Sequence, residues 1–219
     1  GLMTSGPTDP IYDPFLKKML TKPSHAKARA YGYGLANSVI EAFHTGDFKQ
    51  SPKPSITVHS KEIELGIENF MLSLGSLLGV IDTDPKFSPM PPFIRYLSEV
   101  SFIQLGDATI TGVPGELYPE IAVGGIENPI GADYLIAPQE VPHLRSQFPG
   151  KLNLMVNLAN DSIGYIIPKS EWDKDAPWIY GENEETYGEA VSLGPNTALI
   201  VHENLIKLIE ESKIKKEER

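Results

Sequence analysis

Turn-forming residues constrain this chain more than any other feature. Nineteen glycines and nineteen prolines fall mostly between the periodic stretches, where each marks a turn, a cap or a stop. Short elements are therefore expected throughout. Asp13-Pro14 ahead of Phe15 to Leu20 predicts a short helix with proline in its first turn. Ser24 to Phe43 predicts the main N-terminal helix. Ser24 caps it, Gly46 stops it, and Ala28, Tyr31, Leu35, Ser38, Val39 and Ala42 form its apolar stripe. Gly32 and Gly34 inside it each cost about 1 kcal/mol relative to alanine. They read as a place where another backbone packs closely.

Farther along, Ser55 to Ile67 alternates in polarity and predicts a strand or a hairpin. Residues 69–80 read as a helix and 85–92 as a loop. Two apolar runs, 98–105 and 108–113, are joined by Gly106-Asp107, a hairpin signal. Pro114-Gly115 then turns the chain before a short helix from Glu116. Residues 152–158 predict a buried strand, and 163–167 a second. An amphipathic helix over 196–212 is followed by a charged, frayed tail from Lys213 to Arg219. Interspersed helices and hairpin-like pairs predict an α/β or α+β fold. Its expected form is a mixed β-sheet core with flanking helices, a single domain over residues 1–212, rather than a Rossmann fold.

Size and composition permit this. With 219 residues and 24.1 kDa, a folded chain exposes roughly 10,000 Å² of the about 35,000 Å² that it exposes unfolded. The net charge of −10 argues against nucleic acid, whose phosphates need clustered Lys and Arg. No apolar run reaches the ~18 residues of a transmembrane segment. Without cysteine there is no disulfide, thiolate metal site or cysteine nucleophile. The opening Gly-Leu-Met-Thr-Ser-Gly is neither a signal peptide nor an initiator methionine. It reads either as a start inside a longer protein or as the trimmed edge of a complete domain.

Familiar catalytic motifs are missing. There is no GxGxxG, no P-loop, no His-Glu-x-x-His and no Gly-x-Ser-x-Gly. The five histidines (His25, His44, His59, His143 and His202) are scattered, none sharing a helix face with another at metal-ligand spacing. Two segments carry chemistry. In Thr111-Gly112-Val113-Pro114-Gly115-Glu116-Leu117-Tyr118-Pro119-Glu120, a strand ends in Pro-Gly and a carboxylate follows at once. Glu116 is then either a site residue at a sheet end or a stabiliser of the next helix's positive pole. In Asn157-Leu158-Ala159-Asn160-Asp161-Ser162-Ile163-Gly164-Tyr165, polar and small residues interrupt two apolar runs. Tyr165 is either a proton donor or metal ligand, or a half-buried ring beside a β-turn.

Together, in this order, the two segments resemble the neutral/alkaline (non-lysosomal) ceramidase family. The helix from Ala28-Arg29-Ala30-Tyr31-Gly32 and the stretch Ser192-Leu193-Gly194-Pro195 match as well. The likeness covers most of residues 24–212 and only the C-terminal half of the family's catalytic domain. It implies hydrolysis of the amide bond of ceramide, or of a related N-acyl lipid, with one zinc ion. Glu116 and Tyr165 match two of the metal ligands. The other two are histidines from the family's N-terminal half and have no counterpart here. Thr4, or Ser5, stands nearest to a family serine proposed to act at the scissile bond. The resemblance also implies an exported or envelope-associated protein with membrane-surface contact. The alternative is a non-catalytic module that keeps the fold and binds a lipid or a protein.

Overall fold

The computed structural model describes residues 9–46, 55–81, 85–150, 152–184 and 186–217, with side chains through 213. Thr4 and Ser5 lie outside the described residues. The chain has two compact units, one from residues 3–53 and the other chiefly from 54–219.

In the first unit, β1 (Ile11–Asp13) and β2 (Lys18–Leu20) form an antiparallel hairpin. The helix expected over 15–20 is thus a turn and a strand. Asp13 explains the difference. Its buried carboxylate accepts N–H bonds from Phe15 (2.8 Å) and Leu16 (3.1 Å), an Asx-type turn that competes with a helix start. Arg29 pairs with the same carboxylate at 3.1 Å. Burial raises the Asp13 pKa, but the two N–H groups and Arg29 outweigh it and hold the carboxyl below its ordinary value.

Helix α1 (His25–Thr45) follows, capped by Ser24, whose side chain accepts from the Lys27 N–H, and closed at Gly46. Only Lys27 and Ala30 are buried on it. Leu35 and Val39 of the expected stripe are exposed, and a Cβ on Gly32 or Gly34 would meet nothing within 4 Å. Within this unit the two glycines meet no other backbone.

The second unit is built on a mixed sheet of β3 (Ile56–Gly66), β4 (Lys86–Phe87), β5 (Ile94–Leu105), β6 (Ala108–Gly112) and β8 (Leu152–Val156). Its strand order is β3-β5-β6-β8, with β4 also paired to β5. β6 and β8 are parallel and the other pairs antiparallel. This matches the expected mixed α/β content. The β5–β6 hairpin turns at Gly106 (φ 58°), where only glycine is unstrained. The expected loop at 85–92 contains the two-residue β4.

Helix α5 (Thr197–Glu217) lies across one sheet face. There Ile63, Leu65, Val100 and Phe102 pack with Val201, Leu205, Leu208 and Ile209 in the core. The helix runs on through the expected tail to Glu217. Helix α2 (Phe70–Leu77) is capped by Asn69, whose side chain accepts from the N–H groups of Met71 and Leu72.

The opposite face is apolar too. Register places Ile56, Leu105, Ala108 and Leu152 in one row across the sheet, and Val58, Ile103, Ile110 and Leu154 in the next. No described element covers them, and Ile56, Val58, Leu105, Leu152 and Leu154 stay exposed. The strand expected as buried over 152–158 therefore ends at Val156 and shows its apolar side to solvent. A strand with alternating apolar residues looks the same in sequence whether or not its face is covered.

Candidate functional site

Beyond the main sheet the parallel pair continues. Val113 donates to the Val156 carbonyl (2.9 Å), Ile163 to Pro114 (3.0 Å) and Glu116 to Gly164 (2.9 Å). This ladder leads into β7 (Glu116–Leu117) and β9 (Tyr165–Ile166), two residues each. Residues 160–162 bulge out of the ladder between β8 and β9, while Leu158 and Ala159 still donate to Gly115 and Val113. Asp161 pins that bulge to β5, accepting from the Tyr96 hydroxyl (2.8 Å) and the Ser98 hydroxyl (2.7 Å). Gly164 enters β9 with φ 82° and bridges to Ser192. A Cβ there would sit 1.8 Å from the Val191 carbonyl oxygen. Only glycine allows that approach.

Glu116 and Tyr165 are direct register partners in β7 and β9. Paired residues of adjacent strands share a sheet face, with backbones about 4.8 Å apart. Both are half-buried, and neither the carboxylate nor the hydroxyl has a hydrogen-bond partner among the described residues. Burial, then the Glu116 charge, then Tyr187, raises the Tyr165 phenol above its ordinary pKa. The structure thus brings together the two residues that sequence singled out.

It also removes one alternative for Glu116. The expected helix from Glu116 begins only at Pro119, as α3 (Pro119–Val123), and Glu120 occupies its first turn. Glu116 sits in an extended strand ahead of it and does not stabilise its positive pole. The strand expected over 163–167 is confined to Tyr165–Ile166.

No protein-family model matches this chain, and no curated protein matches it with significance.

Two further side chains border the pair, and a third lies behind them. Tyr187, which opens the short helix α4 (Tyr187–Ala190), presents its ring edge to Tyr165 at 5.9 Å between centroids. Tyr118 follows Glu116 by two positions, the strand period that returns a side chain to the same face. Burial, then the charges of Glu189, Glu171 and Glu120, pushes the Tyr118 phenol well above its ordinary range. Glu189 is buried, accepts from the Asp173 N–H (3.1 Å) and the Thr186 hydroxyl, and is itself raised, chiefly by burial. Alternation from Glu116 was enough to find Tyr118. Nothing local marks Tyr187, which reaches the site through the Gly164–Ser192 bridge.

The three histidines of the second unit have other neighbours. The His202 ring lies 2.9 Å from the Pro142 carbonyl, the His143 ring 3.3 Å from the Ala122 carbonyl, and His59 beside Phe102. His25 and His44 belong to α1. Among the described residues, no group of three or more His, Cys, Asp or Glu could hold a metal. No described helix is long and apolar enough to cross a membrane.

Proposed function

We propose that the chain supplies half of the zinc site of a ceramidase-type amidase. Glu116 and Tyr165 are its oxygen ligands, and two histidines come from polypeptide outside these residues. The observation that carries this reading is the one-to-one pairing of Glu116 with Tyr165 across β7 and β9. The resemblance names the same two residues as ligands of one ion, although they are far apart in sequence.

The donor set fits zinc in kind. A carboxylate and a phenol oxygen are acceptable beside imidazoles, and both oxygens here are free of other partners. In number it is half of a four-coordinate set, which is why a second source of ligands belongs to the proposal. The bare apolar face of the main sheet supports that second source, since a covered sheet normally packs a layer on each apolar side.

When bound there, zinc would supply Lewis acidity toward an amide carbonyl and a water molecule. The chain's own residues do the rest. Glu116 places negative charge at the mouth of β7. Tyr165, raised by burial and by that charge, keeps its phenolic proton at neutral pH until a cation lies beside it. Tyr187 packs edge-on against Tyr165 and fixes its ring. The substrate is ceramide or a related N-acyl lipid.

Hydrolysis of N-acyl-sphingosine by the protein together with its histidine-bearing part tests the reading. Glu116→Gln should abolish turnover and leave the melting temperature unchanged, whereas full turnover by that variant would sink the proposal. Calorimetry on this chain alone should find weak zinc binding or none. Tight one-to-one binding would overturn the external supply of histidines.

A further inference from the structure

Residues 69–81 carry no charged side chain. Phe70 and Met71 in the first turn of α2 are 72% and 69% exposed, and Leu78 and Val80 behind them are exposed too. Beside the helix, the 86–93 segment exposes Phe87 (73%), Met90 (68%) and Phe93. These two stretches form one surface. A groove of about 630 Å³ runs between them, lined by Phe70, Leu74 and Leu77 on one side and by Pro91, Pro92 and Phe93 on the other.

Seven of these large side chains are more than half exposed. At ~150–250 Å² for a large aromatic side chain, Phe70, Phe87 and Phe93 alone offer on the order of 300–500 Å², to which Met71, Leu78, Val80 and Met90 add. The largest apolar patch on an ordinary monomer is ~300–600 Å².

We infer that this surface docks on a zwitterionic lipid surface, with α2 and the 86–93 segment in the headgroup–acyl boundary. Charge selects that occupant. Lys86 is the only charged residue in the two stretches, although Glu68 borders the groove and Asp82 and Asp84 stand between the stretches in sequence. A second copy of the chain would bring two bodies of net charge −10 together. An anionic membrane would repel the same charge. A zwitterionic surface accepts the uncharged Phe, Met and Leu side chains and leaves the acidic remainder in water.

The placement also suits the chemistry proposed above, and in that respect it rests on that reading. The other side of α2 contributes Leu72 and Ser76 to a second cleft of about 370 Å³. That cleft reaches Ile163 and Gly164, next to Tyr165. An N-acyl lipid entering this cleft would meet Ile67, Leu72, Ile81 and Ile163 as apolar wall, with Ser76, Tyr96 and Asp161 as its polar part.

Flotation of the purified chain with phosphatidylcholine vesicles tests the docking without any turnover. The wild type should float, and the triple variant F70N/F87N/M90N should bind at least ~10-fold less. Its melting temperature should be unchanged, because exposed positions contribute little to stability. Replacing a third of the lipid with phosphatidylserine should weaken binding. The inference is overturned if the wild type stays with the unbound fraction, if the triple variant floats as well, or if phosphatidylserine strengthens binding. It is overturned equally if the wild type is a dimer that the substitutions dissociate and vesicles do not bind. Glu116→Gln should float like the wild type. Lost flotation with intact turnover would therefore count against the docking alone, and lost zinc chemistry with intact flotation against the proposed site alone.

Discussion

β6 with β8 and β7 with β9 are both parallel pairs, one leading into the other, yet they are used differently. The first is five residues long and belongs to a sheet that buries Thr109 and Thr111 on one side. The second is two residues long and holds a carboxylate and a phenol without hydrogen-bond partners among the described residues. A long ladder can fill both flanks with packing. The two-rung ladder sinks one rung, Leu117 with Ile166, into the core and leaves the other, Glu116 with Tyr165, half-buried, where groups with unused lone pairs can be kept. Perturbing the long sheet should therefore cost stability, and perturbing the Glu116–Tyr165 rung should cost chemistry.

Glu116→Gln gives the sharpest test of that division. With the histidine-bearing part present, turnover should fall by about a thousandfold or more, on the order of 4 kcal/mol in barrier, while thermal melting stays put. Phe102→Ala should do the converse. Phe102 is fully buried under α5, so chemical denaturation should show a loss of about 3–5 kcal/mol, with per-molecule activity of the folded fraction retained.

Tyr165→Phe should be milder, about ten- to a hundredfold in turnover, or ~1.4–2.7 kcal/mol. Excess zinc should recover part of the activity if ligation is the main role of Tyr165. No recovery would identify it as a proton donor to the leaving amine. Leu154→Asn, on the open side of the long sheet, should change stability by no more than about 0.5 kcal/mol. A larger loss would mean that this face is covered in solution.

The smallest effect concerns pH. Burial, then Glu120, Glu127 and Glu140, raises the Glu171 carboxyl above 4.5, against the pull of the Glu127 N–H. Between 4.5 and the raised folded value, the native chain keeps a proton that the unfolded chain releases. Stability should therefore fall as pH rises through that window. Melting curves of Glu171→Gln should show a flatter slope there.

Much of the fold was legible from caps and alternation. Ser24, Asn69 and Gly106 marked two helix starts and a hairpin turn, and the structure has each where expected. The 15–20 segment is ambiguous in sequence because proline after Asp13 fits a helix start and an Asx turn equally well, and the Asp13 carboxylate, held by the Phe15 and Leu16 N–H groups and paired with Arg29, takes the turn. The exposure of β8 is not legible because alternation records which residues share a face and not what lies over it. For the site, the convergence of Glu116 and Tyr165 was legible through the resemblance. The position of Glu116 relative to the following helix was not, since Pro-Gly-Glu permits either a helix or two more extended residues. Tyr187 depends on a contact between distant loops that no local pattern encodes.

Gly164 has a consequence for how this protein can vary. Because the Val191 carbonyl occupies the space of its missing side chain, the strand that carries Tyr165 and the segment that carries Tyr187 are fastened together there. The two phenols cannot be repositioned independently by small steps. In a saturation library this one position should tolerate almost nothing, although the exposed Ser162 two residues away is open to change. Any lineage that alters the spacing of the two rings must remodel both segments at once.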